Sequence, residues 1–127
     1  MNKKTLQDDF VRAVEQLGLV LKLKADTDVM KAGCIQYFEF SFELAWKTIK
    51  SHAEDQGVLD CNSPKSALKY AFKNGWLEED DIWLDMLASR NKMAHTYNAK
   101  SALNVYERLP PYYIALKALA ATLVKIV

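Results

Sequence analysis

The sequence predicts an all-α fold, an antiparallel up-and-down bundle of about five helices. Glycine (4) and proline (3) are sparse among the 127 residues, which disfavours a turn-rich β fold. Apolar side chains recur at helical spacing, and the segments between these runs are short, as is typical of antiparallel helical neighbours. The length suits one domain with a core of its own, so residues 1–127 are expected to form a single domain.

Two long helices open the chain. Helical spacing of apolar residues predicts the first from about Thr5 to Leu23 and the second from about Val29 to Asp55. The second helix has two apolar stripes on nearly opposite sides, and a helix that is apolar on two faces is buried on both. We therefore expect it either to be the central helix or to pack against a second protomer. The stripes consist of Ile35, Phe38, Phe42, Trp46, Ile49 and Ala53, and of Tyr37, Phe40 and Leu44.

The later helices are marked by start and stop signals. Ser63 and Pro64 fit the N-cap and first position of a short third helix, and Asn74-Gly75 ends it. The acidic run 78–81 favours the start of a fourth helix, which we expect to end near His95 to Asn98. The last segment begins near residue 99, and Pro110-Pro111 predicts a break or sharp kink within it.

The fourth helix carries an arginine in the middle of an apolar face. That face consists of Trp83, Met86, Leu87 and Ala94. A guanidinium is almost never buried without a partner, and Glu39 and Glu43 of the second helix are the candidate partners of Arg90. Glu43 has Lys47 four residues on as an alternative, exposed partner.

Arg90 and His95 each allow two interpretations. Arg90 is either half of an ion pair that fixes helix register or a cation that binds phosphate, which its guanidinium matches with two parallel hydrogen bonds. His95 is either a surface or capping residue or a general acid or base near neutral pH. Five residues apart on one helix, they do not face each other. Two copies of the helix across a two-fold axis would bring both pairs into one cleft, so catalysis would favour a homodimer.

Other polar residues have mainly structural interpretations. His52 is interpreted as structural and Asp85 as a solvated helix residue. Tyr97 fits a half-buried core position, and Asn91 either is solvated or orients a phosphate. A solvated helix face accounts most simply for three lysines, and a contact to RNA backbone is the alternative; they are Lys65, Lys69 and Lys73.

Composition and motifs exclude several classes of protein. The net charge of +1 gives no global basic field, so any RNA contact must be local. Cys34 and Cys61 lack the spacing of a zinc site and fit a reducing cytoplasm. No signal core precedes the first helix, and no apolar run is long enough to span a bilayer, so we expect a cytoplasmic protein without a membrane partner. Walker, dinucleotide-binding and nucleotidyltransferase motifs are missing, and no cofactor or metal is expected.

Several motifs together resemble a known family. The pattern of Arg90 and Asn91 followed by His95 and Tyr97 is the signature of one branch of the HEPN domains. In combination with the block 38–47, the Ser63-Pro64 start and residues 83–87, it is similar to the nucleotidyltransferase substrate-binding proteins. The resemblance covers nearly the whole chain and implies a dimeric, HEPN-like bundle.

The resemblance also implies a function. It implies the toxin of a two-gene toxin–antitoxin pair, a metal-independent endoribonuclease with catalytic Arg90 and His95 at a dimer cleft. Asn91, Glu39 and Glu43 would support them. A separate minimal nucleotidyltransferase, the antitoxin, would transfer AMP to Tyr97. The alternative is a non-catalytic subunit that presents a substrate or nucleotide to a separate nucleotidyltransferase. A third alternative is a purely structural dimer with Arg90 sealed in an ion pair.

Overall fold

A computed structural model describes residues 3–94 and 99–126 of the chain, and these residues fold as an all-helical bundle. Five of its α-helices have ten residues or more, which confirms a bundle of about five helices. They are α1 (Lys3–Leu21), α2 (Asp28–Asp55), α3 (Pro64–Lys73), α4 (Asp80–Ala94) and α6 (Leu109–Val124), with a short α5 (Ala99–Leu103) and a 3-10 segment (Asn104–Arg108) before α6.

The first two helices form an antiparallel pair. The start of α1 is tied to the end of α2 by an ion pair between Lys3 Nζ and Asp55 Oδ2, 2.6 Å apart. One turn further in, His52 Nε2 donates to Gln7 Oε1 at 2.7 Å. Helix α1 begins and ends two residues earlier than predicted. It ends early because the amide of Lys22 bonds to the carbonyl of Leu19, three residues back, as in a tightened last turn.

Helix α2 is enclosed by this chain on one side only. Its first stripe lies in the core, where Phe38 contacts the Tyr112 ring at 5.0 Å and Phe42 contacts Trp83 at 6.4 Å between centroids. The second stripe remains at the surface, with Phe40 49% exposed. Tyr37 and Leu44 of this stripe are half-buried against the core, so a central helix enclosed by its own chain is wrong at Phe40, and packing of this face against a second protomer stays a prediction.

The signals around α3 act as predicted. The Ser63 side chain accepts from the Ser66 amide at 3.2 Å, and the Ser66 side chain accepts from the Ser63 amide at 3.0 Å, a reciprocal cap. Pro64 occupies the first turn, where its missing N–H costs nothing. Gly75 has a φ of +73°, a left-handed conformation that ends the helix and turns the chain into α4.

The C-terminal break precedes the two prolines. The 3-10 segment ends at Arg108, and Pro110 and Pro111 lie in the first turn of α6, where proline is well tolerated. Helix α6 then packs closely on α1. A Cβ added to the buried Gly18 would lie 2.6 Å from the Tyr113 hydroxyl oxygen, which explains a glycine within the last turns of α1.

Candidate functional site

Arg90 pairs with Glu43 across the contact of α4 and α2. Arg90 Nε donates to Glu43 Oε1 at 2.8 Å, and Arg90 Nη2 lies 2.7 Å from the same oxygen. The side chains of Arg90 and Glu43 are each 32% exposed to solvent. The ion pair is thus half-buried and not sealed, and the guanidinium remains in contact with solvent.

Two further contacts fix the ends of this pair. The other Glu43 oxygen, Oε2, accepts from Trp46 Nε1 at 2.6 Å, which anchors the carboxylate to its own helix. Arg90 Nη1 donates to Asn91 Oδ1 at 3.1 Å. The predicted residues Arg90, Glu43 and Asn91 therefore meet in one cluster. Trp46, which the sequence pattern assigned to the core, is the member that sequence reasoning missed.

Glu39, the other candidate partner of Arg90, has a different environment. It lies one turn before Glu43 on α2 and is half-buried, and the described contacts of Arg90 go to Glu43 and Asn91 instead. Burial raises the pKa of Glu39, and the nearby Glu43 carboxylate raises it further. Glu39 thus adds negative charge beside the pair without bonding to the arginine.

A hydrogen-bond network with the buried Tyr112 and Ser89 at its centre ties α4 to α6 one turn before Arg90. The Tyr112 hydroxyl, fully buried, donates to Asp85 Oδ2 at 2.6 Å and contacts Ser89 Oγ at 2.8 Å. Arg108 Nη1 lies 3.2 Å from Asp85 Oδ1. Burial, and then the bond to Asp85, raises the pKa of Tyr112. Asp85 is 42% exposed and thus solvated as expected, but it also accepts the hydrogen bond that ties α6 to α4, which the sequence pattern did not predict.

His95 and Tyr97 lie outside the described residues, so the structure does not place the predicted proton shuttle or the predicted acceptor of AMP. His52, in contrast, is structural as expected: it is buried, bonds to Gln7 and contacts the Trp76 ring at 5.8 Å. Burial and the nearby Lys3 lower the pKa of His52. Both cysteines are buried thiols, and among residues 3–94 and 99–126 no three His, Cys, Asp or Glu side chains converge as a metal site would need.

Residues 6–125 match the family described as nucleotidyltransferase substrate-binding protein-like. This chain belongs to that family. The match confirms the resemblance carried by the pattern around Arg90 and the block 38–47. Since it covers nearly the whole chain, every described helix falls within or overlaps the family region.

Known relatives agree with this assignment. A Haemophilus influenzae protein named probable ribonuclease HepT is 29% identical over 91 residues, which span 68% of this chain and 62% of that protein. A crystal structure from Thermus thermophilus matches with a TM-score of 0.77 and 29% identity, over 88% of this chain and 96% of that one.

A second solved structure shares the fold. This Haemophilus influenzae protein, described as revealing the fold of a substrate-binding domain of a nucleotidyltransferase, matches with a TM-score of 0.72 and 24% identity. The match covers 97% of this chain and 99% of that chain. Of the helices that the structure describes here, none combines the length and apolarity needed to cross a membrane.

Proposed function

We propose that this chain is a toxin subunit, a metal-independent endoribonuclease acting at a homodimer cleft with Arg90 and His95 as catalytic residues. A separate minimal nucleotidyltransferase, the antitoxin, neutralises it by transferring AMP to Tyr97. The observation that carries the proposal is the Arg90 guanidinium, which Glu43 holds in place while a third of the side chain stays exposed. The name of the Haemophilus relative, a probable ribonuclease, supports the same reaction class.

The reaction needs a proton shuttle and a cation, and neither role requires a metal. One His95 imidazole takes the proton of a 2′-hydroxyl, whose oxygen attacks the neighbouring phosphorus. The bond from phosphorus to the 5′-oxygen breaks, and a second, protonated His95 gives its proton to that leaving oxygen. Arg90 binds the non-bridging phosphate oxygens, where negative charge grows. The products are a 2′,3′-cyclic phosphate and a 5′-hydroxyl.

The open face of α2 supports a homodimer. Phe40 is exposed there between the half-buried Tyr37 and Leu44, next to an open groove of about 400 Å³. Glu43 also lines this groove. A second copy seated on the face would thus lie beside the Arg90–Glu43 pair, as a shared cleft requires. In this arrangement Asn91 and Glu43 orient Arg90, and Glu39 adds a carboxylate at the edge of the cleft.

The test is cleavage of total RNA in EDTA by purified protein whose mass confirms an unmodified Tyr97. His95→Ala is the test variant, and His52→Gln is a matched control that changes the structural histidine. Cleavage by the parent and the control, but not by His95→Ala, supports the nuclease. Equal cleavage by all three identifies a contaminant and refutes the role of His95.

A second candidate is a non-catalytic subunit that presents a substrate or nucleotide to a separate nucleotidyltransferase. The family description favours it, and the half-exposed Arg90 guanidinium could hold a phosphate in this role as well. No cleavage by unmodified parent protein, together with binding of a nucleotide that Arg90→Gln abolishes, supports this candidate over the nuclease.

A further inference from the structure

A second cleft, the α3–α4 groove, lies on the same helix as Arg90. It has a volume of about 280 Å³, near the lower end of the roughly 300–1,000 Å³ typical of small-ligand clefts. Leu84, on its wall, is 54% exposed and therefore accessible to a ligand in the groove. The apolar wall consists of Leu68, Phe72, Trp83, Leu84 and Leu87.

The charged residues of the groove are separated by sign. Lys65 and Lys69 line it from α3 and are four residues apart, so they are neighbours on one helix face. Asp80, the first residue of α4, lines it too. A connection of only six residues joins α3 to α4, so the two helices are antiparallel neighbours. Lys65 therefore lies at the end of the groove near Leu87, and Asp80 lies at the opposite end.

The basic end of the groove points towards the candidate active site. Arg90 follows Leu87 by three residues on α4, and such pairs are neighbours on a helix surface. With a net charge of +1, the chain must bind RNA through a local cluster of cations. Lys65 and Lys69 supply two such cations from α3, beside the α4 segment that leads to Arg90, and the acidic run 78–81 repels a phosphate backbone from the opposite end.

We propose that the α3–α4 groove binds a flanking nucleotide of single-stranded RNA, with the base on the apolar wall and the backbone phosphates on Lys65 and Lys69. The inference rests on the proposed nuclease function and names where its substrate is held. We expect an unpaired strand, because a base within a duplex must first be unpaired and unstacked, at a cost in free energy, before it can reach the wall.

The experiment measures the binding of a fluorescein-labelled, 12-nucleotide single-stranded RNA by anisotropy, in the uncleaving His95→Ala protein. Lys65→Glu/Lys69→Glu is compared with Lys4→Glu/Lys22→Glu, which has the same net charge but changes exposed lysines outside the groove. Loss of two phosphate contacts makes the plot of log binding constant against log salt concentration less steep, by about 1.4. A fourfold rise in salt should then weaken RNA binding by the control variant about sevenfold more than binding by the groove variant.

The apolar wall is tested separately. Leu84→Gln should raise the Kd for the RNA about fivefold, the effect of losing roughly 40 Å² of apolar contact with the base. Ile114→Gln, which changes an even more exposed apolar residue on α6, should leave the Kd unchanged. Binding of ATP serves as a further arm: an affinity for ATP that equals the affinity for RNA assigns the groove to a free nucleotide and overturns the RNA site.

The outcomes separate this inference from the proposed function. If the parent cleaves RNA but both charge variants bind alike, the groove site is refuted and the nuclease stands. If only the groove variant loses RNA binding and the parent cleaves nothing, the groove site stands and the nuclease fails. A change in sedimentation mass of Lys65→Glu/Lys69→Glu would show instead that a second copy covers the groove, and would overturn the inference.

Discussion

Replacing Arg90 by glutamine tests whether the arginine serves structure or chemistry. The change removes two contacts to Glu43 Oε1, of 2.8 and 2.7 Å. Both side chains are 32% exposed, so solvent screens the pair, and such pairs contribute about 0.2–1 kcal/mol. Glu43 keeps its bond from Trp46 and is not left unpaired. We expect the free energy of unfolding to fall by about 1 kcal/mol and Tm by about 4 °C.

The expected loss of cleavage is much larger. Removing a group that stabilises charge in the transition state costs about 100- to 1,000-fold in rate, or roughly 2.7–4 kcal/mol. A protein that is roughly 5–15 kcal/mol stable stays folded after losing about 1 kcal/mol, so unfolding cannot account for that drop. Urea denaturation followed by tryptophan fluorescence measures the first quantity, and single-turnover cleavage of an RNA oligonucleotide measures the second.

Glu43→Gln is the matched control, since it breaks the same ion pair and leaves the guanidinium in place. We expect a similar loss of stability and a change in cleavage of less than about tenfold, because Arg90 keeps its charge. The reasoning is refuted if Glu43→Gln loses as much activity as Arg90→Gln. It is equally refuted if Arg90→Gln lowers activity only in proportion to the unfolded fraction.

Three further predictions concern buried groups. Tyr112→Phe should lower the free energy of unfolding by about 2–3 kcal/mol, since it removes bonds to Asp85 and Ser89, whereas Tyr113→Phe should cost less than about 0.5 kcal/mol; urea denaturation of both decides. The pKa of His52 is lower in the folded protein than in the unfolded chain. Below about pH 6.5, the unfolded chain therefore binds a proton at His52 that the folded protein does not bind. Stability should therefore fall as pH drops from about 7.5 to about 5.5, and it should fall less in His52→Gln; equal slopes would contradict this. The pKa of Glu39 is higher in the folded protein than in the unfolded chain, so the free energy of unfolding falls as the pH rises above the ordinary pKa of a glutamate. Glu39→Gln should therefore have a higher Tm than the parent at about pH 7 and an equal one near about pH 4.

The sequence predicts the helices well because their signals are local. Ser63 and Pro64 act within one turn of α3, and Gly75 reverses the chain within a few residues. The acidic run 78–81 likewise spans the start of α4, and Asp80 and Asp81 lie in its first turn. Such effects depend on neighbours only a few positions away, so reading the chain in order is sufficient to find them.

The sequence predicts only part of the candidate site, because the contacts at the site join distant parts of the chain. Helical phase limits the partner of Arg90 to Glu39 or Glu43. These two carboxylates are one turn apart on the same helix, so the sequence pattern does not distinguish between them. The choice depends on how α2 and α4 cross. The bond of Asp85 to Tyr112 spans 27 residues, and nothing local distinguishes Asp85 from a solvated carboxylate. Tyr112 and Tyr113 are adjacent, and the phase of α6 alone decides which of them is buried.

The pairing of Arg90 with Glu43 is compatible with a catalytic role for the arginine. Glu43 is held on one oxygen by Trp46 and on the other by Arg90, so the carboxylate cannot easily follow the guanidinium if it moves. A guanidinium fixed in this way loses little conformational freedom when it binds a phosphate, and preorganised charge is what stabilises a transition state. Glu43 also neutralises part of the charge, so in the proposed nuclease we expect Arg90 by itself to bind RNA weakly. Affinity would then come from other cations along the strand, and we propose Lys65 and Lys69 in the α3–α4 groove for this role.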